Sequence, residues 1–517
     1  MKFAVGFFLL LFFSCHNNFD NKALKIFKYN ESSGINTLDP IFAKDQATIW
    51  VANQLFNGLV QLDNNLNVIP SIAKNWVVSK GGLCYTFTLR DDVLFHDHKL
   101  FKEGKGRRVI ASDFEYSFNR LINPEIAAPG AWVLNNVDSF YAINDTTFEI
   151  NLIKPFSAFL SLLSMQYCSV VPSEIIKHVD FNRNPVGTGP FKFQLWKDGV
   201  KLVLRRNTNY FEKELEEQLP YLDAVSITFI QDKQSVFLKF IQGELDFMSG
   251  IHASYKDEIL TFDGNLKDKY KDQIVLQKSS YLNTEYLGFL NDSIPIEVRR
   301  AINFGFDKKK MLKYLRNNIG TPALNGFIPK GLPSFSNNVS GYDYNPVKAR
   351  RLLEKSRFNL DDKIILSTTA SYIDLCEYIQ HELLKIGLKI VLDVNPSATH
   401  RQMVATSKLL FFRGSWIADY PDSENYFALF YSKNYCPNGP NYTHFNNHLF
   451  DRLYELSLSE LDESLIYNYY RKMDQIIVDN APVVPLYYDQ VLRFTHNNIK
   501  GLGINAMNLL DLKRVKK

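Results

Sequence analysis

The sequence predicts a mixed α/β fold built as several lobes. Three observations carry that expectation. The chain has 517 residues, and beyond its first 14 it is too long for a single core, so about three domains or lobes are expected. Short strand-like runs alternate with turns in the first part, while the later half carries longer amphipathic helices. No low-complexity tract, repeat period or Pro/Gly/Ser linker divides the chain, so the lobes are expected to form one compact body.

The elements follow in order. From Phe27 to about Arg90 the pattern reads as short strands and turns, with Tyr85-Thr86-Phe87-Thr88-Leu89 alternating at period two. Residues 112–123 read as a helix, with Ser112 as N-cap and Glu115 three residues on, the spacing of a capping box. Phe148-Glu149-Ile150-Asn151-Leu152 alternates as a strand. Gly187-Thr188-Gly189-Pro190 reads as a turn before Phe191-Lys192-Phe193. Asn345 and Pro346 fit N-cap and N1 of a helix whose apolar face is Ala349, Leu352 and Leu353. Residues 364–369 read as a strand, 372–386 as a helix and 389–394 as a strand, with Gly387 as the helix stop. Strand, helix and strand in about 30 residues make a βαβ unit. Residues 465–478 form another amphipathic helix, ended before Pro482.

Composition narrows the function classes. The 59 basic and 55 acidic residues nearly cancel, at net charge +4, too even a balance to argue for nucleic acid. Cys84, Cys168, Cys376 and Cys436 are scattered with no Cys-x-x-Cys pair, which argues against a zinc ribbon or redox motif. One disulfide or buried free thiols remain open. His96 and His98 sit one residue apart; a solvated turn is the favoured reading over a metal site. Gly187-Thr188-Gly189-Pro190 lacks the Lys-Ser/Thr of a phosphate loop, so its glycines are read as turn chemistry. There is no Gly-x-Ser-x-Gly and no His-Glu-x-x-His. No enzyme activity, metal or cofactor is expected.

At the start, Lys2 precedes an apolar run from Phe3 to Phe13, then Ser14, Cys15 and a polar stretch. The run has the length of a signal-peptide core and is too short to span a bilayer. A small residue and Cys at its end resemble a bacterial lipobox, with Phe12 where Leu is usual. The resemblance implies cleavage before Cys15, lipidation of Cys15 and permanent tethering. An ordinary cleaved signal peptide is the alternative.

Further segments resemble the large extracytoplasmic solute-binding proteins of ABC transporters, in the oligopeptide- and nickel-binding family. They run in order from Leu38-Asp39-Pro40 through Leu55-Phe56-Asn57-Gly58-Leu59-Val60 and Pro70-Ser71-Ile72-Ala73-Lys74-Asn75-Trp76. Val186-Gly187-Thr188-Gly189-Pro190-Phe191, Arg206-Asn207, Gly243-Glu244-Leu245-Asp246 and Val298-Arg299-Arg300-Ala301-Ile302 follow. Trp416-Ile417-Ala418-Asp419-Tyr420-Pro421-Asp422 and Ala481-Pro482-Val483-Val484-Pro485-Leu486 complete the series. Each segment is weak alone; their order over nearly the whole chain is specific.

The resemblance implies a three-lobed periplasmic-binding-protein fold. Lobe I takes residues 24–64, 184–280 and 490–517, lobe II is inserted at 65–183, and lobe III takes 281–489. Crossings near 281 and 490 would form a hinge. It also implies a monomer that captures short peptides for the permease subunits of an importer, held to the membrane through Cys15. A nickel chelate, haem or oligosaccharide cargo, and an exported hydrolase, are the alternatives. Asp419 matches the family's anchor for a peptide amino group, with a structural aspartate as the alternative. Arg413 stands where a ligand carboxylate is met, with an internal salt bridge as the alternative. Trp416 and Tyr420 are read as cleft walls, and Trp132 as core.

Overall fold

The computed structural model describes residues 24–79, 81–356, 358–359 and 362–517. Cys15 and the segment around it lie outside the described residues. A sheet of 11 strands runs through the molecule. Its order is Ile390–Val394, Ile364–Thr368, Phe411–Ile417, Ile274–Phe289, Val483–His496, Phe247–Ser249, Ile26–Asn30, Ala224–Thr228, Lys201–Arg206 and Phe191–Lys197, with Thr321–Pro322 added beside Val483–His496. A separate antiparallel sheet of 4 strands joins Ala73–Ser79, Cys84–Leu89, Thr147–Leu152 and Val137–Asn144.

The spine of the large sheet is the antiparallel pair Ile274–Phe289 and Val483–His496. Their pairing is regular from Ile274 opposite His496 to Ser280 opposite Gln490, and resumes at Thr284 opposite Tyr488. Three residues on one strand therefore face one on the other, the irregularity of a bulge. The apolar interior is divided likewise. One cluster holds Phe27, Trp50, Phe87, Phe114, Phe148 and Val225. Two others pack around Phe289, Ile302, Leu366 and Ile379, and around Phe327, Tyr426, Phe450 and Tyr470.

Several elements match the sequence reading. Parallel strands Ile364–Thr368 and Ile390–Val394 flank the helix Ile373–Leu384, and Gly387 has φ +94°, beyond ordinary L-residue range. Asn345 caps Pro346–Lys355, its side chain accepting from the Lys348 N–H at 2.9 Å, while Ala349 and Leu353 are buried. Glu463–Asn480 is a helix ending before Pro482. The four cysteines Cys84, Cys168, Cys376 and Cys436 are buried free thiols.

Other expectations are corrected. The first region contains a helix, Gln46–Leu55, where only strands and turns were expected. Its cap was readable: Asp45 accepts from both the N–H and the hydroxyl of Thr48 at 3.0 Å. Thr48, Ile49 and Val51 are β-branched and its apolar residues lie nearly all round, so no single stripe appears. The next helix is Ala111–Leu121, so Ser112 lies inside its first turn. Asp113 closes the cap instead, accepting from the Ile110 N–H at 2.9 Å.

The glycines of Gly187-Thr188-Gly189-Pro190 serve close approach rather than turn conformation. A Cβ at Gly187 would lie 2.0 Å from the Leu55 carbonyl oxygen, and one at Gly189 would lie 2.5 Å from that of Gln54. His96 clamps this loop: its backbone N–H donates to Gly187 O at 2.8 Å. The ring accepts from the Gly187 N–H at 3.3 Å and donates to Gly189 O at 3.0 Å. Burial lowers its pKa to about 4, so the ring is neutral.

Candidate functional site

The site grows from the strand Phe411–Ile417 and the turn after it. That strand pairs antiparallel with Ile274–Phe289 along its length, from Phe411 opposite Phe289 to Ile417 opposite Asn283. On its other side only Phe412 meets a strand, at Ser367. Among the described residues, 413–417 thus offers one edge with no strand partner. Glycines set the close pairing. A Cβ at Gly414 would lie 2.4 Å from the Tyr286 ring, and one at Gly288 would lie 2.5 Å from the Phe412 ring. Each glycine sits directly opposite the aromatic that covers it.

Arg413 begins the free stretch. Its guanidinium pairs with Glu285, both side chains nearly buried, and lies 3.1 Å from the Tyr372 ring centroid. Glu285 also accepts from the Ser415 hydroxyl at 2.8 Å. His400 Nε2 lies 2.8 Å from the Arg413 carbonyl. Burial lowers the Arg413 pKa to about 10, still fully charged at neutral pH. Of the two readings weighed for Arg413, the internal ion pair is present in this structure.

Asp419 follows the strand. The residue is exposed, yet enough protein surrounds its carboxyl to raise its pKa, with Asn425 pulling the other way. Asn425 is the hub that sequence reasoning passes over. Its Oδ1 accepts from the Trp416 indole at 2.9 Å and from the Asp419 N–H at 3.2 Å. Its Nδ2 donates to Asp419 Oδ2 at 3.2 Å. Only its spacing of six residues from Asp419 hinted at it. Two more acids lie beneath. Glu424 accepts from the hydroxyls of Tyr420 and Tyr454, and burial raises its pKa to about 6. Asp422 accepts from the Tyr470 hydroxyl at 2.8 Å.

A second wall faces this turn. The Trp132 ring lies 6.3 Å from that of buried Tyr420. Trp132 is 37% exposed, so it is a rim residue and not the core residue expected. Burial, then the charges of Asp419 and Asp45, raise the Tyr167 pKa to about 12. Burial raises Tyr426 and Tyr442 as well, with Asp419 contributing to each. Asp419 thus lies among hydroxyl-bearing rings from distant parts of the chain.

His96 is buried with both ring nitrogens engaged by backbone, and so does not lie in the solvated turn expected for it; the described residues contain no group of three or more His, Cys, Asp or Glu that could hold a metal. No described helix is long and apolar enough to cross a membrane.

An anion beside an unpaired strand edge suits a ligand with a cation and an extended backbone. Fold and site together define a solute receptor. The profile of bacterial extracellular solute-binding proteins, family 5 (middle region), matches residues 67–436. The chain belongs to that family. It is 24% identical over 542 aligned residues to the dipeptide-binding protein DppE of Bacillus subtilis, covering 96% of this chain and 93% of that one. It is 26% identical to heme-binding protein A of Haemophilus influenzae, covering 84% and 82%. Its fold matches the periplasmic binding protein DppA of Helicobacter pylori, solved with the peptide STSA. The TM-score is 0.79 at 23% identity, covering 95% of this chain and 98% of that one.

Proposed function

We propose that this chain captures short peptides in the groove at 413–419 and delivers them to the permease of an ABC importer. The carrying observation is the free strand edge 413–417 ending at Asp419. An extended peptide would add to that edge through its backbone, and Asp419 would take the α-ammonium. Trp416, Tyr420 and Trp132 would wall the first side chain. Arg413, already paired with Glu285, would brace the strand from beneath.

The lobe boundaries proposed are 24–64, 184–280 and 490–517; 65–183; and 281–489. Two features support them. The four-stranded sheet lies wholly within 65–183. The interrupted pairing between Ser280/Gln490 and Thr284/Tyr488 falls where both crossings would hinge. We further propose that the receptor is a monomer tethered on the outer side of a membrane by lipid on Cys15. A covalently bound acyl chain contributes about 0.8 kcal/mol per buried CH₂, and several chains hold it permanently.

Mass spectrometry of ligand released by denaturing the purified protein tests the cargo. Short peptides with free amino termini are expected. A haem, a metal chelate or a sugar would overturn the peptide reading and leave the receptor reading standing.

A further inference from the structure

A thiol–imidazole cluster lies on the loop 434–445 and just beyond the end of helix Ser397–Ala405. Cys436 Sγ is 3.5 Å from His444 Nε2 and 2.9 Å from the Ser407 hydroxyl. The same hydroxyl is 3.0 Å from His444 Nε2. The Tyr435 ring stacks on the imidazole at 4.7 Å and 11°, fixing its plane. Thiol, imidazole and hydroxyl are thus in mutual contact, a nucleophile with a base within reach. Cys436 is buried, while His444, Ser407 and Tyr435 are half-buried.

The backbone holds the cluster in an unusual conformation. Ser407 has φ +54° and His444 φ +51°, the left-handed region that non-glycine residues seldom occupy. Asn441, fully buried, locks the loop: its Nδ2 donates to Tyr431 O and Phe445 O at 3.0 Å, and its Oδ1 accepts from the Phe445 N–H at 3.1 Å. The loop also carries Tyr442, whose pKa is raised by burial and then by both Cys436 and Asp419. Cys436 Sγ also lies 3.9 Å from the Val404 carbonyl, and two of the remaining thiols can be set beside it. Cys376 meets the Thr368 hydroxyl at 3.3 Å, and Cys168 faces the Leu162 carbonyl at 3.9 Å. Burial raises their pKa values to about 11 and about 12. Among the described residues, Cys436 alone has an imidazole in contact.

We propose that Cys436 is a modification site, a reactive thiol whose substrate is a small-molecule disulfide. His444 Nε2 takes the thiol proton as Sγ attacks one sulfur of the disulfide. The new Sγ–S bond forms, the disulfide's own S–S bond breaks, and the departing thiolate receives the proton from His444. Cys436 is oxidised to a mixed disulfide, and one half of the small disulfide is reduced to thiol. The inference holds whatever solute the groove takes.

The test treats the full chain at pH 7 with oxidised glutathione and follows each cysteine by peptide mass mapping. Cys436 is expected to gain the glutathionyl mass first, and dithiothreitol is expected to remove it. An ordinary thiol is only about 3% thiolate at pH 7, so His444→Asn should slow the reaction about tenfold or more. Asn tolerates the positive φ at 444, and thermal unfolding checks that the variant is folded. Equal labelling of Cys84, Cys168, Cys376 and Cys436, labelling only on unfolding, or a variant as fast as wild type would overturn the proposal.

Discussion

Two motif segments of this chain carry polar residues and sharp turns, and the structure puts them to opposite uses. His96 with 187–190 turns inward: each ring nitrogen meets a backbone group, and the glycines let that loop lie against Leu55. The segment 416–424 turns its first acid outward: Asp419 is exposed, with one side-chain partner from Asn425. A buried polar group with all its partners is structural; one left facing solvent beside a free strand edge is available for a ligand. The lesson is that motif identity alone does not separate the two, whereas the partner count does.

The largest effect should break the first segment. Gly187→Val would force Cβ into the Leu55 carbonyl at 2.0 Å and the Phe56 ring at 2.6 Å. Backbone cannot yield there, so a loss of about 3 kcal/mol or more is expected in denaturant unfolding. The strand that leads into the second segment carries a structural residue, Arg413. Arg413→Ala leaves Glu285 buried without its cation, at an expected cost of about 3–5 kcal/mol. A stability within 1 kcal/mol of wild type, roughly the scatter of surface changes, would return Arg413 to the ligand.

His96 gives the comparison a pH signature. Its folded pKa, about 4, lies below the ordinary 6.5, so the unfolded chain binds more protons between those values. The clamp's contribution is therefore complete above pH 6.5 and is lost as pH falls toward 4, by up to about 3 kcal/mol. Glu424, raised to about 6, and Asp474, raised to about 7, act in the opposite sense. The difference between wild type and His96→Gln isolates the histidine, and it should shrink on acidification. The smallest effect should come from across the groove. Trp132→Ala removes a ring at the groove rim beside Tyr420; an aromatic contact from it to the ligand would be worth about 0.5–1.5 kcal/mol, so about a two- to tenfold loss of ligand affinity is expected in titration.

Much of the fold was legible because local and global signals agree. The βαβ unit at 364–394 has alternating patterns, a helix stop at Gly387 and apolar faces that pack on one another. The helix Gln46–Leu55 was not legible by period, because nearly every side buries something: Ala47, Thr48, Trp50, Val51, Ala52, Gln54 and Leu55 are all buried. Asp419 and Trp416 of the candidate site stood out in the sequence because an acid and a ring stand in a motif. Asn425 was not, because its role depends on a turn that brings it back under both. Trp132 was misplaced for the same reason: its partner Tyr420 is 288 positions away, and no sequence period connects them.

The most direct test is calorimetry of one short peptide, with and without an acetylated amino terminus, against wild type and Asp419→Ala. Removing one partner of a desolvated charged pair costs about 2–5 kcal/mol, roughly thirty- to several-thousand-fold in affinity. Acetylation and Asp419→Ala should each cost that much on their own, and acetylation should cost Asp419→Ala little more, with folding unchanged. Equal binding of the free and acetylated peptides to wild type would contradict the account.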